Sequence, residues 1–192
     1  AQKREESLQD VPISVATLSG DRYEVLFSGS EDILALSGRV PGLYAESSNG
    51  RAAPRFYLRG LGNIDFDLAA SQPVSVIMDE VVLENVTLKS FPIFDVERVE
   101  VLRGPQGTRY GANAIGGLIY MQSRQPGDEF NGRVQLLAGG DDARSVGLAA
   151  GGPVGNRLGL RLSAHRHESN GFRTNTFLDR DDTNGRDETT LR

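Results

Sequence analysis

Between residues 157 and 164 every second residue is apolar. Leu158, Leu160, Leu162 and Ala164 share one face of an extended chain, and Arg157, Gly159, Arg161 and Ser163 share the other. Residues 145–150 repeat the pattern, with Val146, Leu148 and Ala150 against Ser145, Gly147 and Ala149. Turns are signalled by Gly139-Gly140-Asp141-Asp142 and by residues 151–156. A strict period of two cannot be satisfied by a helix, so this part of the chain is predicted to be antiparallel strands with one apolar face. Two architectures meet that demand: half of an ordinary β-sandwich, or barrel strands with apolar residues outward and polar residues inward. Periodicity alone does not choose between them.

The rest of the composition narrows the field. Apolar content of 38% and charged content of 24% permit a packed core and argue against wholesale disorder. No apolar run approaches the roughly 18 residues of a membrane helix, but this leaves strand-built membrane proteins open. A net charge of -5 argues against general nucleic-acid binding, which needs a positive field. Cysteine is absent, which excludes disulfides, thiol nucleophiles and thiolate metal sites. The opening Ala1-Gln2-Lys3-Arg4-Glu5-Glu6 is not a signal peptide.

Residues 1–127 read as a small α/β unit. Strands are expected at 12–17, 54–59, 73–79, 96–102 and 117–122, all rich in Val, Ile, Phe or Tyr. One helix is expected from Ser19-Gly20-Asp21, capped by Ser19 or Asp21. A second is expected from Ser30, with Ile33, Leu34 and Leu36 inward and Gly38 and Pro41 ending it. Gln125-Pro126-Gly127-Asp128 marks a boundary, and residues 128–192 form the second region. Within it, residues 169–187 are Asn/Asp/Gly-rich and read as a long surface loop, with a further strand starting near Thr189.

Chemistry-bearing motifs are weak. The Gly-rich run from Gly104 to Gly111 lacks the Gly-Lys-Ser/Thr ending of a phosphate loop, and Arg59-Gly60-Leu61-Gly62 opens no long helix. His165 and His167 share a strand face but have no further ligands nearby and read as solvated or lumenal. Asp179, Asp181 and Asn184-Gly185 resemble a calcium loop loosely, with the glycine one place late and Thr183 in place of an acid. Asn85-Val86-Thr87 fits a glycosylation triplet without other support. No metal site, cofactor site or catalytic constellation is expected, and an enzyme has no positive support.

Three stretches, in order, carry a resemblance. They are Phe56-Tyr57-Leu58-Arg59-Gly60-Leu61-Gly62, then Val74-Ser75-Val76-Ile77-Met78-Asp79-Glu80-Val81, then Val96-Glu97-Arg98-Val99-Glu100-Val101-Leu102-Arg103-Gly104-Pro105-Gln106-Gly107-Thr108 with Tyr110-Gly111-Ala112-Asn113-Ala114-Ile115-Gly116-Gly117-Leu118-Ile119. Together they resemble the plug of TonB-dependent outer-membrane receptors, over about residues 8–125. Arg109, Tyr120 and Met121 depart from the usual pattern. The resemblance implies an α+β plug domain (mixed β-sheet with short helices) followed by the antiparallel strands that begin a transmembrane β-barrel.

It also implies roles. Arg59 and Arg103 match the plug arginines that pair with barrel glutamates in this family, and guanidinium forks suit such directional contacts. Gly60, Gly104, Gly107, Gly111, Gly116 and Gly117 are expected at turns and close backbone approaches. The loops holding Glu46, Ser47, Asn49, Arg51, Asp65 and Phe66 are the expected solute contacts. The implied parent is a bacterial outer-membrane transporter, several times longer than this chain, taking up a scarce solute such as a ferric siderophore. Its expected partners are TonB, through a motif upstream of Gln2 that this chain lacks, and outer-membrane lipid. Alone, this chain would transport nothing. Two other classes remain: a soluble periplasmic binding module with a plug-like fold, and an enzyme using the acidic loops.

Overall fold

A computed structural model describes residues 10–29, 32–48, 51–65, 67–111, 113–181 and 183–192. The chain divides into two compact units. The first comprises Ala1–Ser90 and Val96–Ser123, and the second Phe91–Asp95 and Arg124–Arg192.

The first unit is built on a five-stranded mixed sheet. Its strands are β1 (Ser14–Ser19), β4 (Val74–Met78), β5 (Val81–Val82), β6 (Val96–Arg103) and β7 (Gly117–Ser123), in the order β1-β6-β7-β4-β5. Only β4 and β7 pair in parallel. β2 (Leu43–Glu46) and β3 (Arg55–Leu58) form a separate antiparallel ribbon. The two central strands are covered on both faces, which is why their sequences run apolar rather than alternating. Val99, Val101, Leu102, Leu118, Ile119 and Met121 are all fully buried. Loss of alternation at the start of β6 has a local cause, a register shift against β7 between Val96 and Arg98.

Turn chemistry follows the residue types. Asp79 and Glu80 hold φ of 48° and 70° between β4 and β5, the positive pair that a two-residue hairpin turn requires. The Asp79 carboxylate accepts from Ser123 N–H at 2.7 Å and from its hydroxyl at 2.5 Å, tying this turn to the end of β7. Between β6 and β7 the Gly-rich run folds back on itself, through Gly104 N–H to the Gly116 carbonyl (3.1 Å) and Gln106 N–H to the Ala114 carbonyl (2.8 Å). It contains one helical turn, α2 (Gly107–Tyr110). Tyr120 fits the packing locally: it packs on Tyr110 and donates to Glu80 at 2.9 Å.

The helices depart from expectation. α1 (Gly20–Phe27) starts where predicted, but its N-cap Ser19 makes no side-chain hydrogen bond. The helix is held instead by burial of Tyr23 and Phe27. Ser30 lies outside the described residues, and the second helix is a four-residue 3₁₀ turn, Ile33–Leu36, capped by Asp32. Ile33 and Leu36 are buried as expected, yet Gly38 and Pro41 follow too soon for a longer helix. The Asn85-Val86-Thr87 triplet is the cap of a second 3₁₀ turn, Val86–Lys89, where Asn85 Oδ1 accepts from Thr87 N–H at 3.0 Å.

The second unit is one antiparallel sheet, β11-β10-β9-β8, of β8 (Asn131–Ala138), β9 (Arg144–Val154), β10 (Leu158–Ser169) and β11 (Arg186–Leu191). The last strand begins three residues before the expected Thr189, at the edge of the polar loop. Leu136, Leu148, Leu158, Leu160 and Leu162 are exposed, whereas Ser145, Ser163, His165 and His167 on the opposite face are buried.

Gly117 stands at a close backbone approach in the first unit. Its φ is +140°, and a Cβ there would stand 2.3 Å from the Leu102 carbonyl oxygen and 2.4 Å from Leu58 Cδ2. Gly107 has nothing within 4 Å of such an atom. Gly117→Ala is expected to destabilise the unit by about 2–4 kcal/mol, and Gly107→Ala by less than about 0.5 kcal/mol. Urea midpoints from pulse proteolysis of the two variants check this contrast.

Candidate functional site

The two loops expected to face solute are joined by one side chain. The Tyr57 hydroxyl lies 3.1 Å from Glu46 Oε1 and 3.0 Å from the Asn63 carbonyl oxygen, sharing its proton between the 45–51 and 60–67 segments. Gly62 is required here because a Cβ would enter the Tyr57 ring. Burial, reinforced by the hydrogen bond to Glu46, raises the Tyr57 pKa above its ordinary value. Tyr44 packs on Tyr57 with ring centroids 5.8 Å apart and is itself largely exposed, as are Leu61 and Ile64.

The charged loop residues have internal partners. Arg51 pairs with buried Asp32, whose other oxygen caps the 3₁₀ turn by accepting from Leu34 N–H at 2.9 Å. Asp65 belongs to a run of side-chain turns, Asp65 N–H to Asn63, Asp67 N–H to Asp65 and Ala69 N–H to Asp67, at 2.8, 3.0 and 2.9 Å. Ser47 is exposed, and Asn49 and Phe66 lie outside the described residues.

Arg59 is exposed, at a left-handed φ of 53°, with its N–H on the Gly42 carbonyl at 2.8 Å. Arg103 is half-buried. Its Nη atoms donate to the Pro41 and Val15 carbonyls at 3.3 and 3.4 Å, and its buried Nε has no hydrogen-bond partner among the described residues. Neither arginine pairs with a carboxylate among those residues. Of the six glycines singled out, Gly60, Gly104, Gly111 and Gly117 have positive φ, Gly107 opens α2, and Gly116 packs 3.2 Å (for an added Cβ) from Leu61.

Sequence reasoning overlooked two charged groups. Lys89 is almost fully buried in the first unit; burial lowers its pKa to about 8, opposed by Glu84 nearby. Glu84 in turn accepts from Asn113 Nδ2 at 2.5 Å. In the second unit, Asp95 forms a two-pronged pair with Arg161, at 2.6 and 2.7 Å. Arg161 stands on the inner face of β10 among Gly159, Ser163, His165 and His167, which are small or imidazole.

His165 and His167 are buried rather than solvated, and His165 stacks on Phe94 at 5.1 Å. Asp179 and Asp181 are exposed, and no cluster of three or more potential ligands occurs among the described residues. One polar cleft of about 430 Å³ lies in the second unit, lined by Asp142, Arg144, Glu168, Asn170, Arg186 and Asp187 at the ends of β9, β10 and β11.

The TonB-dependent Receptor Plug Domain family matches residues 7–118, more than half of the chain. The chain belongs to the TonB-dependent outer-membrane receptors. Among its relatives, the vitamin B12 transporter BtuB of Vibrio vulnificus is 27% identical over 177 residues, covering 90% of this chain and 28% of the relative. The ferrioxamine B receptor of Salmonella typhimurium is 28% identical over 159 residues, covering 80% and 22%. The ferric yersiniabactin uptake receptor FyuA of Yersinia pestis superposes with a TM-score of 0.78 at 27% identity, over 92% of this chain and 27% of that one. This TonB-dependent receptor chain thus spans about a quarter of the length of the relatives it matches. The match decides between sandwich and barrel for the alternating strands: β8–β11 are a barrel start, still open in this chain. The relatives are transport receptors, not enzymes.

Lys89, at the end of the Val86–Lys89 turn, gives the first unit of this receptor chain a testable pH dependence. Its folded pKa of about 8 lies below the ordinary 10.5, so between those values the unfolded chain binds more protons and stability rises with pH. Below about pH 8 the full cost of burying the cation is present. Lys89→Met is expected to raise stability at pH 7 by about 1–3 kcal/mol and to abolish the gain between pH 8 and 10. Urea midpoints at pH 7, 8, 9 and 10 for both proteins measure it.

Proposed function

We propose that this chain is the plug (residues 1–127) and the first barrel strands (128–192) of an energised outer-membrane importer of a scarce solute, with ferric siderophores the favoured cargo. The plug gates entry, and force transmitted by TonB from the periplasmic side moves it. The carrying observation is the division of faces in β8–β11: exposed leucines and valines on one side, buried serine, histidine and arginine on the other. A strand sheet with that division is matched to lipid outside and a polar interior inside.

Orientation follows from loop length. The β9–β10 turn is three residues, whereas the β10–β11 loop spans 170–185. Short turns belong at the periplasmic end and long loops outside. The polar cleft among Asp142, Arg144 and Asp187 therefore belongs to the outer mouth. Arg59, exposed, and Arg103, with its unsatisfied Nε, are the groups that carboxylates of later strands would engage.

Uptake tests the reading. Full-length receptor in iron-starved cells lacking their own siderophore receptors is expected to accumulate iron-55 from ferrioxamine B or another ferric siderophore in a panel, and to lose this in cells without TonB. Accumulation that ignores TonB would sink it. Cobalt-57 cyanocobalamin, carried in place of every ferric complex, would replace the cargo and keep the mechanism. For the barrel face, Leu160→Arg is expected to cost about 2–4 kcal/mol at the membrane midplane, read as a lost heat-modifiable folded band, and Gln at the same place far less.

A further inference from the structure

Two concavities follow one another along the face of β8–β11 that carries the exposed leucines. The first is an apolar hollow of about 800 Å³. Leu148, Leu162 and Leu191 wall it, and it has depth because Gly132, Ala150 and Ala164 are small. The second is the polar cleft of about 430 Å³ at the ends of β9, β10 and β11.

Strand register sets their spacing. Leu148, Ala164 and Leu191 stand side by side at the hollow, and Arg144, Glu168 and Asp187 stand side by side at the cleft. In each of the three strands the two positions are four residues apart, about 13 Å, and an even spacing keeps both on one face. Arg166 lies between them. It donates through Nε to Glu168 at 2.8 Å and through Nη1 to the Thr189 hydroxyl at 3.2 Å, and its Nη2 is 3.2 Å from Asp187. Arg144 is exposed, with no side-chain partner among the described residues. Asp142 accepts from Asn170 Nδ2 at 2.8 Å.

The chemistry of the two concavities differs in the way that the two ends of a lipid differ. Charges belong where the apolar band of a barrel gives way to headgroups, and exposed ion pairs add little stability by themselves. Guanidinium forks match phosphate oxygens, whereas carboxylates accept from hydroxyls. Arg144 and Arg166 among Asp142, Glu168 and Asp187 would hold a simple anion poorly. A head that carries both phosphate and sugar hydroxyls complements both signs.

We propose that hollow and cleft together seat one phosphorylated glycolipid of the outer leaflet. An acyl chain lies over Ala150 and Ala164, a phosphate meets Arg144 and Arg166, and sugar hydroxyls donate to Asp142 and Asp187. That this face meets lipid rests on the importer reading. The test reads lipid retention rather than uptake, so the two can fail separately.

The experiment is native mass spectrometry of the full-length receptor in detergent, offered equimolar diphosphoryl lipid A, phosphatidylglycerol and phosphatidylethanolamine. The receptor is expected to retain lipid A in preference to either phospholipid. Arg144→Gln with Arg166→Gln removes the phosphate contacts, and Ala150→Leu with Ala164→Leu fills the hollow. Each pair is expected to weaken lipid A retention about tenfold while the heat-modifiable folded band persists. Arg157→Gln, in the short turn at the opposite end of the same strands, is expected to leave retention unchanged. Equal retention of the three lipids, or lipid A retention that survives either pair of substitutions, overturns the proposal. Preference for phosphatidylglycerol also overturns it, and gives the hollow to a glycerophospholipid.

Discussion

Backbone hydrogen bonds in a bilayer have no water to fall back on, and the second unit is governed by that constraint. Its four strands pair laterally in one register, and the pairing fixes every side chain to one of two faces. One face then carries the exposed Leu136, Leu148, Leu158, Leu160 and Leu162, giving way to a charged cluster of Arg166, Glu168 and Asp187 at one end, and the other carries Arg161, His165 and His167. The outer edges of β8 and β11 have no strand partner among the described residues, so the sheet calls for further strands. The same inner face supplies the guanidinium that receives Asp95.

The first unit answers a different demand. It needs enough apolar core to fold, yet it keeps charge at places where a purely structural domain would not. The core is concentrated in β6, β7 and β4, where Val, Leu, Ile and Met run consecutively. Around it are a buried Lys89, an undersatisfied Arg103 and loops with long runs of aspartate turns. Buried ionic groups are poor sources of stability.

Much of this was legible in the residues. Strand positions followed from β-branched runs, and the 104–111 run could be separated from a phosphate loop by its missing lysine. What was not legible depended on partners far away in sequence. Ser19 had the right chemistry for a cap but did not use it, because burial of Tyr23 and Phe27 already holds α1. Arg51 read as a loop charge and proved to be the counter-ion of Asp32. His165 and His167 read as solvated or lumenal, because alternation says which residues share a face but not what covers it; they are buried on the inner face. β8 was overlooked because its alternation is blurred by Leu137, and β5 because two residues carry no period at all. Asp95 immediately precedes the Val96–Thr108 stretch, and nothing local shows that its partner is 66 residues on.

The most direct measurement is the size and location of the native protein, by immunoblot of fractionated cells with antibody against this chain. The account predicts a band several-fold heavier than 20.8 kDa, in the outer-membrane fraction. A band near 20.8 kDa in the soluble periplasm would contradict it and favour a plug-like binding module instead.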